Sequence, residues 1–159
     1  MSLSTNQPTN GFSLREITTY QAGVAQSAMH RLLQKECDEY LQEFGISKMH
    51  WLIIGSVLDA GEAGIRITKL AEIMQTGLPY LTTTINLLES KGMLVRLSDK
   101  EDSRAKVVTV SPSFAGKCPE IERTLRERLR ASIYSKVSRE DFLTYMKVLY
   151  ILGNPDQKA

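Results

Sequence analysis

A mostly helical chain with one small β-hairpin is the fold class this sequence predicts, and three observations predict it. Between Ile65 and Ser111 the apolar spacing reads as a short helix, a tight turn, a second helix and then a hairpin with a charged tip. Long stretches with helical spacing stand on both sides of that region, around Ile17 to Phe44 and from Pro112 onward. The last stretch, Phe142 to Leu152, is apolar nearly all round, so it calls for cover on more than one side. With 159 residues, 42% hydrophobic and 24% charged, the chain has room for one domain plus an oligomerising extension.

Residues 1–12 are rich in Ser, Thr, Asn and Gln, with Pro8 and Gly11, and read as a flexible tail. Ser13 followed by Glu16 is a capping-box signature, so a long helix is expected from Leu14 to about Phe44, stopped by Gly45. Its apolar positions include Ile17, Tyr20, Val24, Cys37, Tyr40, Leu41 and Phe44. About thirty residues at 1.5 Å each make ~45 Å, longer than a small domain needs. Residues 13–45 are therefore expected to serve dimerisation. Ser47 caps a helix from about Lys48 to Leu58, with Trp51, Leu52, Ile54, Val57 and Leu58 as its core face. A loop over residues 60–64 then leads into a short strand, Ile65-Arg66-Ile67.

Thr68 can cap the next helix, in which Ile67, Leu70, Ala71 and Met74 recur at helical spacing until Gln75-Thr76-Gly77 breaks the pattern. A second helix follows from about Leu78 to Lys91, with Gly77 as a tolerable cap, Pro79 in the first turn and Gly92 in the left-handed position that ends it. Leu81, Ile85 and Leu88 share one face of it, with Leu78 and Thr84 beside them. Pro79, Thr83, Asn86 and Ser90 line the opposite face, flanked by Tyr80 and Thr82. Short polar side chains outward on a helix anchored by a narrow apolar seam suit a major groove, and equally suit an ordinary surface helix. Met93 to Ser98 and Ala105 to Ser111 are the hairpin strands, each with β-branched residues and partial alternation, Val95 and Leu97 in one and Val108 and Val110 in the other. Asp99-Lys100-Glu101-Asp102-Ser103-Arg104 is the charged loop between them.

Ser111-Pro112 starts another helix, and Pro119 lies too far along it to be tolerated, so a kink or restart is expected near Cys118, then helix to about Lys136. Ser138 with Asp141 opens the last helix, and Gly153 with Pro155 closes it. Residues 112–153 are expected to complete the dimer interface and 154–159 to form a tail. Exposed alone, Phe142, Met146, Leu149 and Tyr150 would make the helix prone to aggregation. A second copy of the chain covers it most readily, while closure of its own subunit is the other reading.

Helix, turn, helix and a hairpin with a basic tip, over residues 46–111, is a winged helix-turn-helix. Leu70-Ala71-Glu72, Thr82 to Glu89, Lys91-Gly92-Met93-Leu94-Val95 and Asp99-x-x-Asp102-x-Arg104 together resemble the MarR (multiple antibiotic resistance regulator) family. The resemblance implies a homodimeric, sequence-specific DNA-binding transcriptional regulator, a repressor, with an all-helical dimer interface that includes Ile17, Tyr20 and Val24. Each subunit would place its second helix in a major groove of double-stranded DNA at a pseudo-palindromic operator. Successive grooves on one side of B-DNA lie ~34 Å apart, which suits a two-fold dimer.

The expected DNA-facing residues are Pro79, Tyr80, Thr82, Thr83 and Asn86 on the helix, and Lys100, Asp102, Ser103, Arg104 and Lys106 on the wing. Hydroxyls bond to bases or phosphates, and an amide can pair with adenine. The resemblance implies that Asp102 orients Arg104 toward the backbone or minor groove. Many relatives carry arginine where this chain has Thr83 and Ser103. The outward face of the helix thus lacks a cation, and affinity is expected to lean on the wing and on DNA shape. The resemblance also implies a small aromatic effector, with His30, Met49, His50 and Trp51 as candidate lining.

Other classes fit less well. A formal charge of only +2 leaves any basic footprint local, yet the winged region carries seven basic residues (Arg66, Lys69, Lys91, Arg96, Lys100, Arg104, Lys106) against five acidic ones. The alternative reading is a winged-helix protein–protein interaction module with weak or lost DNA binding. No phosphate-binding glycine loop, nucleophile elbow or metalloprotease helix motif is present, so no enzyme is expected. Neither a cofactor nor a metal is expected, because Cys37, Cys118, His30 and His50 have no ligand spacing. A membrane partner is not expected either, and the absence of a long apolar run or secretory signal makes the cytoplasm the default location.

Overall fold

The computed structural model describes residues 16–102 and 104–154. The expected tail over 1–12, the helix start at Ser13 and Leu14, wing residue Ser103 and the stop at Pro155 lie outside the described residues. The chain is mostly helical with a small three-stranded antiparallel sheet. It divides into two units, residues 1–35 and 36–159.

In order, the elements are α1 (Thr19–Leu41), α2 (Lys48–Asp59), β1 (Ile65–Arg66), α3 (Ile67–Met74), α4 (Leu78–Ser90), β2 (Leu94–Ser98), β3 (Lys106–Val110), α5 (Pro112–Ala115), α6 (Cys118–Ser132) and α7 (Arg139–Gly153). Single 3-10 turns cover Gln42–Phe44, Gly61–Ala63 and Tyr134–Lys136.

The first helix starts later than expected. Thr18 and Gln21 form the reciprocal cap: the Thr18 hydroxyl accepts from the Gln21 amide at 3.3 Å, and the Gln21 side-chain oxygen accepts from the Thr18 amide at 3.0 Å. The other end stops at Leu41, with the 3-10 turn carrying the chain to Gly45 in the left-handed conformation. Ser47 caps α2 as expected, but its reciprocal partner is His50. Ile53, Ile54 and Val57 are the buried face of α2, whereas Leu52 and Leu58, expected in the core, are 45% and 41% exposed. At 100° per residue those two leucines lie well off the Ile53–Ile54–Val57 stripe.

Gly64 joins α2 to the sheet with φ of +70°, and a Cβ there would meet Thr109 Cγ2 at 2.8 Å and the Val108 carbonyl oxygen at 2.9 Å. Only glycine fits such a close approach of backbone to strand. The strand β1 runs straight into α3, so the helix cap is Arg66 in an extended conformation with no side-chain bond, and Thr68 falls inside the first turn instead of capping it. Gln75 takes the left-handed residue that ends α3, with φ of +48°. As expected, Gly77 caps α4, Pro79 sits in its first turn, and Gly92 turns left-handed after it with φ of +69°. The Gly92 and Met93 amides return to the Glu89 and Leu88 carbonyls at 2.8 and 3.0 Å, which satisfies the helix end.

The sheet has strand order β1-β3-β2. Leu94 stands opposite Val110, Arg96 opposite Val108 and Ser98 opposite Lys106. In β3, Val107, Val108 and Thr109 are buried, whereas in β2 only Leu94 is. Val95 and Leu97 stand opposite Thr109 and Val107 on the other face, and Leu97 is 48% exposed. One residue of register moves a whole strand's side chains across the sheet.

The core of the second unit gathers Leu41, Ile53, Ile54, Val57, Leu70, Leu81, Ile85, Leu88, Leu94, Val108, Cys118 and Ile121. Burying each such side chain contributes about 1.5–3 kcal/mol. Pro119 falls in the first turn of α6, which restarts at Cys118 as its position requires. That helix ends at Ser132, short of the expected Lys136, and a 3-10 turn fills the difference. Ser138 caps α7 by accepting from the Asp141 amide at 3.0 Å. No residue of α7 is buried. The helix is held within the second unit by the rings of Tyr134 and Phe142, tilted against each other with centroids 4.6 Å apart, and by the Gln75 side-chain amide donating to the Gly153 carbonyl at 2.7 Å.

Candidate nucleic-acid interface

The outward face of α4 is built as its periodicity implies. Leu81, Ile85 and Leu88 are fully buried, Thr84 nearly so, and Pro79, Tyr80, Thr83, Asn86 and Ser90 are exposed with Thr82 half-buried. Leu78, expected beside the seam, is 43% exposed, because it is the first helical residue and precedes the packed turns. The Thr83 hydroxyl donates to the Pro79 carbonyl at 3.0 Å, and the Thr84 hydroxyl to the Tyr80 carbonyl at 2.9 Å. Thr83 therefore presents outward a methyl group and an oxygen able to accept, its proton being spent on its own helix.

Asn86 is held from the sheet. The Arg96 guanidinium donates from one nitrogen to Asn86 Oδ1 at 2.6 Å and from the other to the Glu89 carboxylate. Arg96 and Glu89 are both more than two-thirds covered, at 29% and 25% side-chain exposure. Sequence reasoning did not find this cluster. Its members are ten and seven residues apart, and only the packing of β2 against the end of α4 brings them together.

The wing is a short loop held at its base by charge. Asp99 accepts from Arg66 Nε at 2.7 Å and from the Glu101 amide at 2.8 Å. The amide bond and the neighbouring guanidinium hold its carboxyl below the usual aspartate range. Asp102 accepts from the main-chain amide of Arg104 at 3.0 Å, so it shapes the backbone that carries Arg104. The Arg104 and Lys100 side chains are exposed, and Lys106 Nζ donates across the strands to the Ser98 hydroxyl at 2.9 Å. The Arg66–Asp99 pair is the second feature that spacing alone did not reveal, since it links residues 33 apart. The third strand expected at Ile65 was its only trace in the sequence.

The residues expected to line an effector cleft have separate occupations. His50 Nδ1 accepts from the Ser47 amide at 3.2 Å, Trp51 packs partly buried against the core, and Met49 and His30 are exposed. Burial first, and then the Lys91 charge, push the His50 imidazole below its ordinary value, with Asp38 opposing. Cys37 and Cys118 are buried free thiols, both pushed up by burial. Arg123 and Arg126 pair along α6 with Glu127 and Glu122 at 3.1 and 2.8 Å, a solvated face. Among the described residues no group of His, Cys, Asp and Glu could hold a metal ion, and no helix is long and apolar enough to cross a membrane.

Comparison with known proteins bears directly on this arrangement. The sequence model of the MarR family matches residues 56–106, which run from the end of α2 through the wing. Among solved structures, a MarR mutant from E. coli complexed with operator DNA is similar with a TM-score of 0.73 and 21% identity, covering 82% of this chain and 91% of that one. A MarR transcriptional regulator from Methanosarcina mazei Go1 gives 0.71 at 18% identity, covering 83% and 95%. The S. aureus MepR–DNA complex gives 0.69 at 20% identity, covering 86% and 97%. At these identities the structures speak for the fold, and the sequence match speaks for the winged domain. On the two findings together, residues 56–106 match the MarR family model, and the chain shares its fold with MarR transcriptional regulators of known structure.

Proposed function

We propose that the protein is a homodimeric transcriptional regulator, a repressor, that binds a pseudo-palindromic operator in double-stranded DNA. The observation that carries this is the exposed face of α4, with Pro79, Tyr80, Thr83 and Asn86 outward beside a wing whose tip offers Lys100 and Arg104. In this reading α4 enters a major groove. Thr82, Thr83 and Asn86 meet base edges, Pro79 and Tyr80 approach the backbone, and Arg104 reaches the adjacent minor groove. Asp102 shapes the turn, Ser103 completes the tip, and Lys106 adds a phosphate contact. Two copies would clasp by Ile17, Tyr20 and Val24 and by Phe142, Met146, Leu149 and Tyr150. The exposure of Met146, Leu149 and Tyr150 at 43–62% in the single chain supports that reading.

The test is binding of purified protein to DNA upstream of its own gene, titrated with salt. Each phosphate neutralised should steepen the fall of affinity with rising salt, and Arg104→Ala should reduce the slope by about one. An unchanged slope would remove Arg104 from the interface. A winged-helix protein–protein module is the second reading. It is favoured by the formal charge of +2 and by the pairing of Arg96 with Glu89 beside a cation-free helix face. Absence of binding to any duplex at low salt would select it.

Modulation by a small aromatic effector belongs to the same proposal. Besides the four residues named for it, a groove of about 710 Å³ between α3 and α7 offers room, lined by Ile73, Gln75, Leu149 and Tyr150 among others. Benzoate, used as a probe, should then weaken DNA binding in proportion to its occupancy; an affinity unmoved at saturating benzoate would remove this part.

A further inference from the structure

Asn86 stands outward on α4, where an amide side chain is ordinarily free to turn either end toward a base. Here it is not free. The guanidinium of Arg96 lies 2.6 Å from the amide oxygen. A guanidinium has donors only, so the end of the amide that faces it must be the oxygen, whichever way the side chain is drawn. Arg96 is itself anchored, because its other nitrogen is bonded to the Glu89 carboxylate one helical turn along α4, and both charged groups are largely covered. A pair of that kind is stronger and more directional than a neutral bond, which fixes the guanidinium in place.

We infer that Arg96 is a positioning residue that holds the Asn86 amide oxygen, so that Asn86 reads DNA through its amino group and gives up the bidentate pair that would single out adenine. This rests on the DNA-binding reading above. The bidentate pairing of an amide with adenine needs its oxygen to accept from the adenine amino group while its nitrogen donates to N7. With the oxygen engaged by a charged donor, the amino group is the end left for a base. Guanine presents two acceptors there, thymine one, and adenine one beside an amino donor that the held oxygen no longer meets, while cytosine presents only a donor and is rejected. The expected order at this position is guanine or thymine first, adenine next and cytosine last. The chain thus obtains guanine or thymine preference from a helix face that carries no arginine of its own.

The experiment uses the full-length protein in two measurements. First, a pool of duplexes with a randomised core is selected at low salt by the wild type, by Asn86→Ala and by the double variant Arg96→Met/Glu89→Gln, which removes the lock without stranding a carboxylate. Asn86→Ala locates the base position by flattening its preference. At that position the wild type should favour guanine or thymine over adenine, and the double variant should shift toward adenine. A bidentate contact is worth roughly 5- to 100-fold in discrimination, which sets the size of the shift. Arg96→Lys, which keeps a donor but not the fork, should fall between them.

Second, the Asn86 side-chain amide resonances are followed by NMR without DNA. They should be dispersed and slow to exchange in the wild type and should collapse toward free-amide positions in the double variant. A wild-type preference for adenine, the same preference in the double variant, or unmoved amide resonances would each overturn the inference. A wild type that enriches no duplex while its amide resonances respond would instead overturn the DNA-binding reading, and the base assignment with it.

Discussion

The helices α4 and α7 are of similar length, 13 and 15 residues, and both are rich in apolar side chains, yet they bury them to opposite degrees. In α4, Leu81, Ile85 and Leu88 lose all contact with water, while Thr83, Asn86 and Ser90 stand outward with Leu78, Tyr80 and Leu87 beside them. In α7 nothing is buried, and Leu143, Met146, Val148, Leu149, Tyr150, Ile151 and Leu152 all stand at 40% exposure or more. The difference teaches that apolar content reports how much cover a helix needs, while its pattern reports where the cover comes from. A narrow stripe such as that of α4 matches one neighbour in the same unit. A helix apolar on all sides outruns what its own subunit supplies, and that surplus is the reason a second copy enters the proposal.

The sharpest way to break the comparison is to attack the buried stripe. Leu88→Ala should cost about 2–5 kcal/mol, since it opens a cavity among side chains that cannot fully collapse. Urea unfolding would measure it, and a loss below about 1 kcal/mol would mean that the α4 seam is not packed as described. Gly64→Ala comes next, at about 2–3 kcal/mol, because the added Cβ would overlap Thr109 and the Val108 carbonyl at a positive φ. Stability equal to wild type would show that this junction can move.

The exposed helix should respond in a different currency. Leu149→Ala should weaken self-association by roughly tenfold or more, about 1.4 kcal/mol. Sedimentation equilibrium reads this as a rise in the monomer fraction, and no change would place Leu149 outside the interface.

A smaller effect sits at the cap of α2. Because burial lowers the folded-state value of His50 below its unfolded 6.5, the unfolded chain binds the proton more readily. The stabilisation is therefore complete above pH 6.5 and is lost as pH falls through the depressed folded value. His50→Gln should keep the reciprocal cap and flatten that acid-side slope, which thermal melts between pH 5 and 8 would detect. Ser47→Ala should cost about 1 kcal/mol at any pH. The smallest effect is expected at Arg123→Ala on α6, no more than about 0.5 kcal/mol, because an exposed pair one turn apart is screened by water.

Much of this architecture was legible in the residues themselves. Proline and glycine set boundaries that local sterics enforce, so Gly77, Pro79, Gly92 and Pro119 marked the ends of α4 and the restart at Cys118 without reference to any distant partner. The stripe on α4 was equally legible, since 3.6 residues per turn decides which side chains share a face. Where a local signal met a neighbouring element, the reading slipped: Thr68 lost its cap to a strand running directly into α3. On the sheet, five residues of mixed apolar character leave the phase of β2 open until β3 fixes it.

Local chemistry therefore determined where the helices begin and end, that a hairpin with a basic tip follows α4, and which face of α4 is outward. Tertiary structure alone decided how that face and the wing are wired: Arg96 bonding Asn86 and Glu89, and Arg66 anchoring Asp99. The physical reason is range. Propensity, capping and periodicity act within a turn or two of the chain, whereas a guanidinium finds its carboxylate through space, across 33 residues in one case, once the sheet and helices have brought them together.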